Sequence, residues 1–332
     1  MKKGLTASTV KIIAMVCMFI DHAAASVLQG LLYAGRFNME SALPDSLTGG
    51  DAMYTTPMGM VYLLLRGIGR ISFPLYCFFI VEGLKYTRSR LKYFLRLIIF
   101  AFISEVPFDL AIFGTPFYPL YQNVYFTLAI GLAMIWGIDT FKERENGKAL
   151  TVLFWLCAIV FAPFALASIM FQWLYSFFGQ IISGAGVRVF FVGLWVVIIL
   201  ATVVSLLIVS KKTKKELSRK ILVIIAFAGT ACVLSDQTDL FGTTTDYGAI
   251  GIITILVMYL LREYKMPEIL AGCGALTFFN FFEAPGFLAV PIIKAYNGER
   301  GKYNKYIFYA FYPLHLLILG LICLFFKINP TG

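Results

Sequence analysis

The sequence predicts an all-α protein: a polytopic transmembrane helical bundle of about ten membrane helices, forming one unit over residues 1–332. Three observations carry that prediction. Of the 332 residues, 60% are hydrophobic and 14% charged, whereas a soluble domain carries roughly 25% charged residues; mean hydropathy is +0.82. Apolar stretches of about 20 residues, the length that crosses a bilayer as a helix, follow one another with only short polar breaks. Those breaks hold no GxGxxG, Walker loop or zinc-ligand spacing that would mark a separate soluble domain.

Taken in order, the apolar segments run over 9–34, 57–86, 90–113, 123–140, 148–170, 187–210, 220–235, 246–263, 267–293 and 305–327. Lys2 and Lys3 ahead of the first give it a signal-peptide look, but the run is long, contains Asp21 and His22 and lacks a convincing cleavage site. It is expected to be a retained first helix. The 35–56 connection has Arg36 as its only basic residue and carries Pro44, Asp45, Gly49, Gly50 and Asp51, so it reads as external. With the N-terminus inside, the basic loops at 85–92, 142–148, 211–220 and 262–265 all face the cytoplasm. Lys85, Arg88, Arg90 and Lys92 form one cluster; Lys211, Lys212, Lys214, Lys215, Arg219 and Lys220 form another. This placement accounts for the net charge of +10 as membrane topology and calls for no nucleic acid.

One loop breaks the pattern. Strict alternation puts 294–305 outside, although it holds Lys294, Arg300, Lys302 and Lys305. Either the rule is locally violated or a helix is re-entrant. The place for a break is then the stretch around Asn280, Glu283, Pro285 and Gly286, where Pro removes a backbone donor. No internal repeat suggests a two-half transporter architecture. The six cysteines, Cys17, Cys77, Cys157, Cys232, Cys273 and Cys323, lie in apolar stretches without CxxC spacing; they read as packing residues, with no metal site.

Ionisable residues inside the apolar segments are the informative ones, since each costs about 2.5 to 3.5 kcal/mol at a helix centre on insertion scales. Asp21 and His22 lie roughly 20 Å along the first helix. His22 is one of two histidines and a candidate catalytic base; the other reading is a buried His that bonds a neighbouring helix. Asp21 stands with it as a catalytic candidate, but points about 100° away around the helix and is expected to pair with an arginine rather than orient His22 directly. Arg66 and Arg70, spaced i,i+4, present two permanent charges on one face. They suit structural ion pairs with Glu82, Glu105 or Asp109, or a clamp for donor phosphates. Glu105 and Asp109 flank Pro107 as an acidic patch, a site for a cationic acceptor group, or partners of those arginines. Asp246, Glu283 and His315, the last beside Pro313, complete the set as substrate-binding or structural residues.

Several linked motifs resemble the TraX family. They are Met18-Phe19-Ile20-Asp21-His22; Arg66-Gly67-Ile68-Gly69-Arg70-Ile71-Ser72-Phe73-Pro74; Glu82-Gly83 with Tyr86-Thr87-Arg88-Ser89-Arg90 and Tyr93; and Ser104-Glu105-Val106-Pro107-Phe108-Asp109. Asn123-Val124-Tyr125-Phe126-Thr127, Asp246-Tyr247-Gly248 and Tyr312-Pro313-Leu314-His315 continue the pattern, which spans about residues 8 to 320 and is weakest over 148–235. The family's named activity is N-terminal acetylation of conjugative pilin, and it is similar to the acyltransferase-3 and heparan-glucosaminide N-acetyltransferase families. The resemblance implies a membrane enzyme that takes acetyl from cytoplasmic acetyl-CoA, with an intramembrane His near the transfer point, a role His22 matches.

The expected function is therefore an integral membrane acyltransferase. It would use acetyl-CoA as donor and a protein N-terminus or cell-envelope glycan as acyl acceptor, with the lipid bilayer as its setting. His22 would act as base or carry the acetyl group transiently, and Arg66 and Arg70 would bind donor phosphates or hold the acidic residues. Two rivals stand beside it. A proton-coupled transporter would use Asp21, His22, Glu105 and Asp109 as a relay, and a non-catalytic assembly factor would use none of them chemically.

Overall fold

The computed structural model describes residues 3–33, 56–178, 215–237, 242–302 and 305–331, with isolated helical positions between 193 and 208. Helix α1 (Ala7–Ala23) starts at Thr6, whose hydroxyl accepts from Thr9 N, and passes through one π-helical turn, Ala24–Leu28, into α2 (Gln29–Tyr33). Thr56 caps α3 (Pro57–Gly69), with Pro57 in the first turn, where a missing N–H costs nothing. Arg70 and Ile71 break the helix before α4 (Ser72–Tyr86). Ser89 caps α5 (Arg90–Phe113), which ends at Gly114 in the left-handed region (φ 69). Then come α6 (Val124–Phe141), capped by Asn123, α7 (Lys148–Phe178) and α8 (Lys215–Ser235). The chain closes with α9 (Gly248–Leu260), α10 (Lys265–Phe279), a 3-10 segment (Phe281–Leu288), α11 (Ala289–Ala295) and α12 (Lys305–Phe325).

The helices bury Phe73, Leu75, Leu132, Ile135, Ile252 and Met258 against one another. Val16, Leu64, Phe102, Val160 and Leu321 are left on the outside. An apolar exterior over an apolar core is the surface that lipid requires. The protein is a multi-pass membrane protein.

The count of about ten helices is corrected. Among the described residues, six helices are long and apolar enough to cross a membrane: Ala7–Leu32, Pro57–Tyr86, Val124–Phe141, Lys148–Met170, Lys215–Ser235 and Tyr306–Phe325. Each missing span has its own reason. Arg90–Phe113 is long enough but carries Arg90, Lys92, Arg96, Glu105 and Asp109. The segment predicted at 246–263 shortens to the 13 residues of α9, because the chain before Gly248 is strand and turn. The one at 267–293 is split in three, and 187–210 lies almost wholly outside the described residues.

That split is the re-entrant break. Asn280 ends α10 in extended conformation and its side chain accepts from Phe282 N, starting the 3-10 segment that carries Pro285. The chain then doubles back. Lys265 Nζ, at the start of α10, donates to the carbonyl of Tyr296, just beyond α11. Leu5 N donates to Ala295 O at 2.8 Å, and Ala7 N to Glu299 O at 2.8 Å. Residues 265–296 therefore enter and leave at one end of the bundle, the end that holds the N-terminus, and the basic 294–305 loop joins the other basic loops there. At the same end, Arg90 and Tyr259 bind Asp139 at 2.6 and 3.0 Å, and Lys220 binds the exposed Glu143 at 2.9 Å, holding that carboxyl below its usual range.

A labelling experiment checks this arrangement. In a background with the six native cysteines replaced, Ser89→Cys and Lys302→Cys are expected to resist a membrane-impermeant thiol reagent in intact cells. Thr213→Cys should resist likewise and Ser46→Cys should react; positions 46 and 213 lie outside the described residues and are assigned from loop charge alone. Reaction at position 302 with protection at 89 would refute the hairpin.

At the opposite end the chain forms a three-stranded sheet in the order β1 (Tyr121–Gln122), β3 (Thr243–Thr245), β2 (Asp236–Gln237). Tyr121 pairs in parallel with Thr244, and Asp236 pairs antiparallel with it. Such irregular backbone is tolerated in a membrane protein where it is enclosed by protein or lines a cavity.

Candidate functional site

Three helix irregularities meet at one cluster of charge. Arg66 Nη1 lies 2.8 Å from Asp21 Oδ1, one turn before the π-helical turn of α1. Arg70, at the α3–α4 break, sends Nη2 to the same oxygen at 3.5 Å and Nη1 to Glu283 Oε1 at 2.7 Å, in the 3-10 segment of the hairpin. Tyr247 OH accepts from Arg70 Nη1 at 3.4 Å, and the Arg66 carbonyl accepts from Arg70 Nε at 3.4 Å. A glycine between the arginines and one in the hairpin make the approach possible. A Cβ on Gly69 would stand 2.2 Å from Asp21 Cβ, and one on Gly286 would stand 3.3 Å from the Arg70 carbonyl. π turns and broken helices recur at functional sites because they free backbone groups and re-aim side chains.

Asp21 thus pairs with the arginines, but the other partners expected for them are replaced. Glu82 accepts from Tyr296 OH at 2.9 Å, Glu105 accepts from the Asn123 side chain, and Asp109 accepts from Tyr118 N at 2.7 Å. The reason is facing. The arginines look toward α1 and the hairpin, whereas Glu105 and Asp109 look toward the start of α6 and the 114–123 turn.

His22 and His315 form the second feature. His22 Nδ1 lies 2.7 Å from His315 Nε2 and the rings are nearly parallel (10°), joining residues 293 apart in sequence. His315 Nδ1 is 2.7 Å from the Phe311 carbonyl. A carbonyl only accepts, so Nδ1 of His315 carries a proton and Nε2 of the neutral ring is an acceptor. It follows that His22 donates through Nδ1, leaving its Nε2 with a free lone pair. Among the described residues that nitrogen has no hydrogen-bond partner. Tyr312 and Phe311 pack their rings around the pair, and Ser26 OH donates to the His22 carbonyl at 2.6 Å, within the turn where the π-helix begins. Both imidazoles are buried.

Arg70 has most of its donors engaged. Arg66, with its side chain 30% exposed and one bond to Asp21, keeps donors available for an anion.

Asp246 stands in the sheet-side turn. Its backbone N–H donates to Gln122 O at 2.8 Å, its carbonyl accepts from Thr127 Oγ1, and its Oδ1 accepts from Tyr121 OH at 3.1 Å. Tyr247 is left-handed (φ 65), a costly conformation for a non-glycine residue, and its ring stacks on Phe73 at 3.6 Å. Arg70, Asp246, Tyr247 and Glu283 line a cavity of about 390 Å³, completed by Tyr121 and Asn280. The histidine pair lies outside it. Sequence reading did not name Tyr121; it named Asn280 only at the helix break and Tyr247 only within the Asp-Tyr-Gly motif, and gave neither a place in a site.

A family model described as TraX protein matches residues 6–179 and 167–323. A relative named for fimbrial assembly, FimC of serogroup H1 from Dichelobacter nodosus, is 31% identical over 134 residues. The match covers 38% of this chain and 44% of that relative, so the chain spans less than half the length of the curated relative it matches. No solved structure matches.

Proposed function

Because the chain belongs to the TraX family, we propose that it is an integral membrane acyltransferase. It moves acetyl from acetyl-CoA to an amine or hydroxyl on a protein N-terminus or cell-envelope glycan. The relative named for fimbrial assembly supports a pilin-like acceptor. The observation that carries the reading is the His22–His315 pair, which leaves one imidazole nitrogen unprotonated inside a buried, aromatic-lined site.

In the reaction the acceptor nitrogen or oxygen attacks the thioester carbonyl. The new N–C or O–C bond forms, the C–S bond breaks and CoA leaves as thiolate. His22 Nε2 takes the proton that the acceptor loses, while Nδ1 stays bonded to His315, which shares the developing charge. The alternative order, with acetyl carried first on Nε2, uses the same free lone pair. Arg66 supplies the donors that suit a donor phosphate.

The test is release of free CoA thiol by purified protein given acetyl-CoA and an acceptor amine. Acceptor-dependent release is the expected result. No release, together with solute uptake into proteoliposomes driven by a proton gradient, would assign the site to transport instead.

A further inference from the structure

The cavity of about 390 Å³ beside Arg70 takes no part in the chemistry derived above. One guanidinium, Arg70, lines it together with the carboxylates Asp246 and Glu283. Arg66 pairs with Asp21 at 2.8 Å and Arg70 with Glu283 at 2.7 Å, so Asp246 is left as a carboxylate in excess of the two arginines. Glu283 is 4% exposed, and its Oε2 is buried with no hydrogen-bond partner among the described residues. A buried acceptor in that state is costly until a donor reaches it. Asp246 is held in place by backbone and Tyr121 contacts, beside the strained Tyr247, a combination typical of ligand clamps.

The cavity's position is fixed by charge. It is built on the turn between α8 and α9, whose other ends carry the basic 211–220 and 262–265 loops. It therefore lies at the face opposite those loops.

We propose that this cavity docks a primary ammonium group of the acyl acceptor ahead of transfer, as the protonated resting form of the amine that later reacts beside His22; it is reached from the face opposite the basic loops, with Asp246 and Glu283 as its anionic contacts. The word acceptor rests on the acyltransferase reading; the ammonium rests on the cavity alone. The volume falls in the range of small-ligand sites, and a peptide N-terminus and an amino sugar carry the same group. Glu105 and Asp109, the expected contacts for a cationic acceptor, are turned toward Asn123 and Tyr118, so the role passes to the sheet-side carboxylates.

Titration calorimetry on the purified full chain, without acetyl-CoA, tests this with glycyl-phenylalanine amide and glucosamine, each beside its N-acetylated form. At least one ammonium probe is expected to bind, and the stronger of the two identifies the source. Its acetylated form should bind on the order of ten-fold more weakly, having lost a charge-assisted hydrogen bond. Asp246→Asn should weaken the ammonium probe by a similar factor, and Glu283→Gln serves as the second variant where the first fails to accumulate. Equal binding of free and acetylated forms, no binding of either ammonium probe, or affinity unchanged by the substitutions would overturn the proposal. Ammonium binding without thioester consumption would sink the acyltransferase reading and keep the site. Transfer to hydroxyl acceptors without ammonium binding would do the reverse.

Discussion

His22→Ala is expected to lower acetyl transfer by about 10²- to 10⁴-fold, the range that a positioned base contributes, while the protein still inserts and purifies as a single species. The Nε2 lone pair is lost outright, and Ala at that depth adds no insertion cost. Transfer of labelled acetyl to an acceptor, normalised to inserted protein, is the measurement. A normally expressed variant that retains activity would end the catalytic role. His315→Ala should cost less, because it removes the group that sets the His22 tautomer and leaves the imidazole itself; its signature is an altered pH profile of the residual rate.

The second large effect is on stability. Arg70→Ala strands Glu283 and weakens the hold on Asp21, and removing one partner of a buried ion pair costs about 3 to 5 kcal/mol. That is a large share of the roughly 5 to 15 kcal/mol that keeps a typical domain folded. The variant is expected to accumulate poorly, and Arg70→Ala with Glu283→Gln should recover much of the loss, since the stranded charge is gone. Adding Glu105→Gln in place of the Glu283 change should not help, because Glu105 bonds Asn123. Rescue by the Glu105 change and none by the Glu283 change would contradict the pairing. Fluorescence-detected size-exclusion chromatography on the single and double variants distinguishes the outcomes.

What the sequence made legible follows the reach of local physics. Apolar length and charge placement revealed the membrane bundle, and the arginine spacing and the Asn280–Gly286 break were visible because Pro, Gly and intramembrane charge act locally. The number of spans was not, since the shortening of α9 to 13 residues and the splitting of 267–293 depend on how sheet and hairpin fill the interior. Pairing was legible only in part. Asp21 could be matched to an arginine, but Glu283 was not chosen as the partner of Arg70, because its approach depends on the hairpin folding back. His22 and His315 were each recognised as candidates without being joined: nothing in a linear pattern brings together residues from the first and last helices. Tyr247 was given no place in a site for a related reason, because its left-handed backbone is imposed by the sheet beside it.

The hairpin also bears on biosynthesis. A segment that enters and leaves by the same end, and carries Asn280 and Glu283 near its tip, has no stable place in lipid by itself; its polar groups need partners from other helices. Arg70, which meets Glu283, is made some two hundred residues earlier and waits in the membrane with Asp21 as its provisional counter-charge. Residues 265–295 therefore settle after the first helices have assembled. The late half of the chain then supplies the closest carboxylate to Arg70, so a ribosome stalled before residue 280 would release an intermediate already inserted but with Arg70 still short of that partner.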